Sequence, residues 1–171
     1  SNEKFKDARV AVVDDNKVNL RVAVTQLREF GVIPEVFSSG EAILKALGRG
    51  RQYDMIFMDH MMPEMDGVET TKYIRAMSSE YCKNVPVIAL TANAITGVET
   101  EYKAAGMNDW LFKPVKLDDL KSMIIKYLPL MNYNKMVFGY TRMWEKPMSL
   151  YTVIINGFVF FLAPLAILLI G

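Results

Sequence analysis

Up to about Leu128 the chain alternates short apolar runs with longer amphipathic ones, and this alternation restricts its fold more than any other feature. The stretches "RVAVVDD", "PEVFSS", "YDMIFMD", "VPVIALTA" and "DWLFKP" are rich in Val, Ile, Phe and Met and are bounded by turn residues, as strands are. Between them apolar residues recur at helical spacing. Leu20, Val24, Leu27 and Phe30 step by three and four through a predicted helix from Asn16 to Phe30, with Gly31 as its stop. Segments 40–47, 68–77, 94–105 and 117–128 read as four further helices. Five strands alternating with five helices predict an α/β fold whose parallel sheet is covered on both faces, because each parallel connection must cross over. In such sheets ligands sit outside the carboxyl ends of the strands.

The 171 residues allow one domain with a proper core, plus an appendage. Lys and Arg total 20 against 19 Asp and Glu, so no general basic field draws the chain to nucleic acid. A single cysteine, Cys82, excludes an internal disulfide, and with one histidine, His60, a Cys/His zinc site is out of reach. This usage fits a reducing, cytosolic compartment. The opening "SNEKFKDARV" is charged and has no apolar segment like that of a signal peptide; residues 1–7 read as a linker or an excised end. Met55, Met58, Met61, Met62 and Met65 cluster around "MIFMDHMMPEMDG" and are expected to fill gaps in the packing. A soft-metal site is disfavoured, since the neighbouring ligands are hard carboxylates.

Beyond residue 128 the character changes. Residues 129–148 form a mixed aromatic and basic connector, and the chain carries no charge after Lys146. As a helix, residues 149–170 would reach about 33 Å, enough for a hydrocarbon core of about 30 Å. Segment 149–171 is therefore a candidate transmembrane helix. Lys135, Arg142 and Lys146 precede it, which would tether the front domain to the inner face of the plasma membrane. An unrelated extension, the first part of a larger membrane protein, and a piece packed on the front domain are the other expectations.

The first strand ends in Asp14 and Asp15, the third in Asp59, the fourth in Thr91 and the fifth in Lys113, so all five fall at one rim of a parallel sheet. Taken singly such an acid is often a helix N-cap, a role open to Asp15 or Asn16. Taken together they repel: at an effective dielectric of 20, a like pair 4 Å apart costs about 4 kcal/mol. The cluster needs a proton, a lysine or a divalent cation. Oxygen-only ligands with room for water suit Mg2+, Lys113 adds positive charge, and Thr91 adds a hydroxyl donor. That inventory fits phosphoryl transfer. Neither G-x-x-x-x-G-K-[ST] nor G-x-G-x-x-G occurs, so the usual nucleotide cradles are missing. An aspartate can itself be the covalent acceptor, and Asp59, alone at its strand end, is the natural nucleophile.

With "VVDDNKVN", "YDMIFMDHMMPEMDG", "ALTAN" and "WLFKP" in this order, residues 8–128 resemble the receiver domains of two-component response regulators, and most of all those of hybrid sensor histidine kinases. The resemblance implies a flavodoxin-like, doubly wound sheet of order 2-1-3-4-5. It implies that Asp59 takes a phosphoryl group from a phosphohistidine, with a sensor histidine kinase or a histidine phosphotransfer protein as partner. Asp15, Asp59 and the carbonyl of Met61 would bind Mg2+ directly, Asp14 would act through water, and Thr91 and Lys113 would hold the phosphoryl oxygens. The Lys113–Pro114 bond is expected to be cis. His60 is then incidental, its side chain facing away from Asp59. Asp66-Gly67 is read as the turn before the third helix, with glycine supplying a positive φ. Glu64 and Asp109 are read as solvated or capping acids.

Two departures from the family pattern bear on signalling. Trp110 stands where the family has a Tyr or Phe switch, and Met61 stands with Asn93 where a side chain flanks the attacking water. Met61 cannot orient water strongly, so slow self-hydrolysis is expected. Thr91 moving inward is expected to alter the surface of residues 94–128, the candidate contact for a homodimer or an effector, while the first helix receives the phosphodonor. The rival readings are an aspartyl-nucleophile phosphatase or phosphotransferase, which would want an acid where Met61 stands, and a passive receiver-like binding module.

Overall fold

The computed structural model describes Phe5, residues 7–92 and residues 98–128. All lie in the first of two units of the chain, Ser1–Met131; the second, Asn132–Gly171, which holds the candidate membrane segment and most of the connector, lies outside the described residues. Among the described residues no helix is long and apolar enough to cross a membrane.

The five apolar runs are strands, β1 (Val10–Val13), β2 (Glu35–Phe37), β3 (Met55–Asp59), β4 (Val87–Thr91) and β5 (Asp109–Phe112). They pair in parallel in the order β2-β1-β3-β4-β5, the doubly wound flavodoxin-like arrangement. Every residue of β1, β3 and β4 is buried, which is why these strands read as continuous apolar runs rather than alternating ones. The helices are α1 (Lys17–Arg28), α2 (Gly40–Gly48), α3 (Gly67–Ala76), α4 (Glu80–Asn84), α5 (Val98–Ala105) and α6, residues 117–128.

Alternate side chains of each strand feed separate cores on the two faces. Val10, Val12, Met55, Phe57, Ile88 and Leu90 pack with Leu20 and Leu27 of α1 and Leu120 and Ile124 of α6. Ala11, Val13, Ile56, Met58, Val87 and Ala89 pack with Ile43 of α2, Ile74 of α3, Cys82 of α4 and Tyr102 of α5. α1 starts where the Asn16 side chain accepts from the Val18 N–H at 2.8 Å, satisfying one of the helix's open donors.

Several expectations need correction. α4 was not anticipated, because five residues carry too little helical period to read from sequence. It is held instead by Arg75, whose guanidinium donates to the carbonyls of Cys82, Val85 and Gly106. α1 stops at Arg28, short of Phe30, and the reversal is made at Gly31 with φ 79°. Met61 is no packing filler: it is 69% exposed, since the chain has left the sheet by then and no core faces it. Gly67 lacks a positive φ; the left-handed residue in this turn is Glu64, φ 65°. Glycine is required at 67 because a Cβ there would collide with the Asp59 carbonyl and lie 2.9 Å from Met58 Cγ. Asp66 is the N-cap of α3, its carboxylate accepting from the Glu69 N–H at 2.7 Å. The start of the fourth predicted helix, with Asn93, lies outside the described residues.

Candidate phosphoacceptor and metal site

Sheet register puts the chemistry in one place. Val13 is paired with Met58, Asp59 with Leu90, and Thr91 with Phe112. Asp14, Asp59, Thr91 and Lys113 therefore all emerge at the carboxyl rim within one step of these pairs. Lys113 is drawn in further by its backbone N–H, which donates to the Thr91 carbonyl at 2.7 Å.

Lys113 Nζ bridges two buried carboxylates, donating to Asp14 Oδ2 at 2.6 Å and Asp59 Oδ1 at 2.7 Å. Asp14 is 1% and Asp59 5% exposed, and buried carboxylates of this kind are found paired or hydrogen-bonded, as both are here by the one ammonium. Asp14 Oδ1 also accepts from the Asn16 N–H at 2.8 Å, and the Asn19 amide donates to both its oxygens at 3.1 Å. Asp15 is exposed. One carboxylate oxygen from each of Asp14, Asp15 and Asp59 lies within 4.8 Å of the others. An all-oxygen cluster with one member facing water suits a hard cation that keeps part of its hydration.

Burial pushes the Asp59 carboxyl above its ordinary value of 3.8; Lys113 opposes this, Asp14 adds to it, and a hydrogen bond from the Met61 backbone opposes it again. For Lys113 burial acts downward, but the hydrogen bonds to Asp14 and Asp59 more than restore it and leave the ammonium above 10.5. The Lys113–Pro114 bond is cis.

The remaining candidates fall around this centre. His60 extends the β3–β4 ladder through its N–H to the Leu90 carbonyl, and its Nδ1 lies 2.6 Å from the Tyr102 hydroxyl. Trp110 is half-buried, its ring centroid 6.5 Å from that of Tyr102. Asp109 pairs with Lys126 at 2.7 Å and Glu64 is exposed, so neither joins the cluster. Sequence reasoning missed Asn19 and Tyr102. Asn19 lies on α1 one turn past the N-cap, where only the position of Asp14 reveals its use, and a tyrosine in an amphipathic helix reads as core until its hydroxyl finds partners.

The response regulator receiver domain family matches residues 10–125. The chain is 34% identical over 151 residues to a probable histidine kinase 1 of Oryza sativa subsp. indica, a match covering 71% of this chain and 16% of that protein. It thus spans a small part of the curated relatives it matches. Among solved structures, the receiver domain of a Pseudomonas aeruginosa sensor histidine kinase is similar, with TM-score 0.64 and 36% identity over 71% of this chain and 98% of that one. A magnesium ion is coordinated in its active site cleft. A Saccharomyces cerevisiae co-crystal of the phosphotransfer protein Ypd1 with the receiver domain of Ssk1 matches with TM-score 0.63 and 25% identity, over 72% of this chain and 90% of that one.

Proposed function

The chain belongs to the response regulator receiver family, and from that membership we propose that Asp59 accepts a phosphoryl group from the phosphohistidine of a sensor histidine kinase or a histidine phosphotransfer protein. The observation that carries this is the Lys113 ammonium bridging Asp14 and Asp59 beside a third carboxylate, Asp15.

Mg2+ fits that set: Asp15, Asp59 and the Met61 carbonyl would hold it, with Asp14 acting through water, and it would supply charge neutralisation to the transferring phosphoryl group. An oxygen of ionised Asp59 attacks phosphorus. The new P–O bond forms as the P–N bond to the donor imidazole breaks, and the imidazole takes a proton as it leaves. Lys113 exchanges its contact with Asp59 for a phosphoryl oxygen, and the Thr91 hydroxyl donates to another. These residues supply the chemistry themselves, so a small donor such as acetyl phosphate suffices. α1 offers the donor protein an apolar face with Val18 66% and Val22 51% exposed. The altered state leaves through the surface of residues 98–128, for an effector or a second copy of the chain.

Incubating the full chain with acetyl phosphate and Mg2+ tests this. The expected product is one acid-sensitive, hydroxylamine-labile phosphoryl group, absent in Asp59→Asn and without EDTA-resistant formation. Labelling that survives the substitution, or that is stable as a phosphate ester is, would overturn the reading; steady release of phosphate from unrelated phosphoesters would favour the aspartyl-phosphatase alternative.

A further inference from the structure

A carboxylate offers about four lone-pair sites, and at Asp14 each is met by a donor. Oδ1 accepts from the Asn16 N–H at 2.8 Å and Oδ2 from the Lys113 ammonium at 2.6 Å. The Asn19 amide nitrogen, half-buried on α1, stands 3.1 Å from both oxygens at once and takes the remaining site on each. Asn16 and Asn19 belong to the start of α1, so two of the three donors tie the carboxylate back to the helix that follows its own strand. Lys113 arrives from beyond β5 and divides its ammonium between Asp14 and Asp59.

Oxygens of Asp14, Asp15 and Asp59 lie within 4.8 Å of one another. Ca2+ holds its oxygens at about 2.3–2.6 Å, so ligands on opposite sides of it stand about 4.6–5.2 Å apart, and a trio of this size could reach one such ion together. Mg2+ is smaller, demands an octahedron and keeps several waters, so that one or two carboxylates serve it. The preference of the trio therefore turns on whether Asp14 can ligate directly. A water on the ion can take the lone pair that Lys113 gives up, with the carboxylate left in place. Direct ligation requires the carboxylate itself to move, against Asn19 and the Asn16 N–H.

We propose that Asn19 is a positioning residue that sets the cation specificity of the site: by holding both oxygens of Asp14 it withholds that carboxylate from direct ligation and so favours Mg2+ over Ca2+. Asp59 and the exposed Asp15 remain as the carboxylates that touch the ion. The selection is exerted from α1, through Asp14, with no contact between Asn19 and the ion. The inference rests on the reading of the three carboxylates as a cation site and adds the reason that the smaller ion is chosen.

Thermal melting of the full chain against each cation reads affinity by mass action, and the ratio of the Ca2+ and Mg2+ concentrations that give an equal rise reads selectivity. Asn19→Ala removes the amide and places the best helix former in α1, so the fold is kept. It is expected to shift that ratio about tenfold toward Ca2+. With Asp14→Asn added, the shift is expected to vanish. An unchanged ratio, with no response of Asn19→Ala to Ca2+ counted as unchanged, overturns the inference and leaves the cation site in place; so does a shift that persists without the Asp14 carboxylate. An asparagine with only a structural role would move the metal-free melt and the response to both cations alike, with the ratio as before. A melting temperature of the unsubstituted chain indifferent to Mg2+ overturns the cation site and the inference with it. The acceptor is tested separately: the chain has two tryptophans, and in Trp144→Phe the fluorescence of Trp110 follows titration with beryllofluoride and Mg2+. No binding there, with Asp59→Asn as the comparison, overturns the reading of Asp59 whatever the cation ratio.

Discussion

At Asp59 the requirements of chemistry and of stability pull apart. Burial raises its carboxyl above 3.8, so the folded chain binds that proton more tightly than the unfolded chain does. The stability linked to it is fully present below the ordinary carboxylate range and is lost as pH rises through the folded value; at neutral pH the ionised group is a cost. For Lys113, raised above 10.5, the contribution is complete through the neutral range and is lost only as pH climbs past its folded value. Asp59→Asn is therefore expected to stabilise the metal-free protein at neutral pH by about 1 kcal/mol. The gain should shrink as acid protonates the native Asp59. Thermal melts of both proteins from neutral pH to about pH 4 check this, and a gain that grows on acidification would contradict it. Asp14, Asp15, Asp59, Thr91 and Lys113 are legible in the sequence because each closes or follows an apolar run, so strand position alone brings them together. Asn19 and the His60–Tyr102 contact are not, because they depend on distances between separate elements that no local pattern encodes.

The turn from β3 into α3 shows what an element demands of its neighbours. Its N–H at Gly67 returns to the His60 carbonyl at 3.0 Å, Asp66 caps the helix, and the strain of a positive φ falls on Glu64. The dipeptide Asp66-Gly67 marks a turn in the sequence, but the reason for its glycine is a close approach to the Asp59 carbonyl, which sequence cannot reveal. Gly67→Ala is expected to cost about 1–3 kcal/mol, the range for forcing a methyl into a packed site. Because the displaced atoms belong to the backbone of Asp59, beryllofluoride binding should weaken as well. Denaturant unfolding alongside the fluorescence titration tests both; a stable variant with normal binding would show that α3 can shift away freely. The long helices were readable from their apolar steps, whereas α4 is maintained by Arg75 reaching carbonyls from three other positions, an arrangement with no periodic signature.

Across the whole molecule, the apolar alternation decides that two cores sandwich one parallel sheet, and the order of strands then decides which loop ends meet. The strand order itself came from the likeness to known receivers, since crossover connections leave it open to several arrangements. The consequence is a site whose carboxylates come from separate strands: Asp14 and Asp15 follow β1, and Asp59 ends β3, with Lys113 arriving after β5. In the unfolded chain these groups are far apart in sequence and offer no comparable cation site. A cation taken by the native state alone stabilises it by mass action, by about 2.7 kcal/mol at a concentration one hundred times its dissociation constant. Mg2+ is accordingly expected to raise the melting temperature by several degrees, in proportion to the logarithm of its concentration once the site is saturated. Chelation with EDTA should reverse the rise, and Asp15→Asn should abolish most of it with little effect on the metal-free melt, because Asp15 is exposed. A melting temperature indifferent to Mg2+ in the unsubstituted chain, or an equal rise in Asp15→Asn, would mean that the three carboxylates do not act together as a cation site.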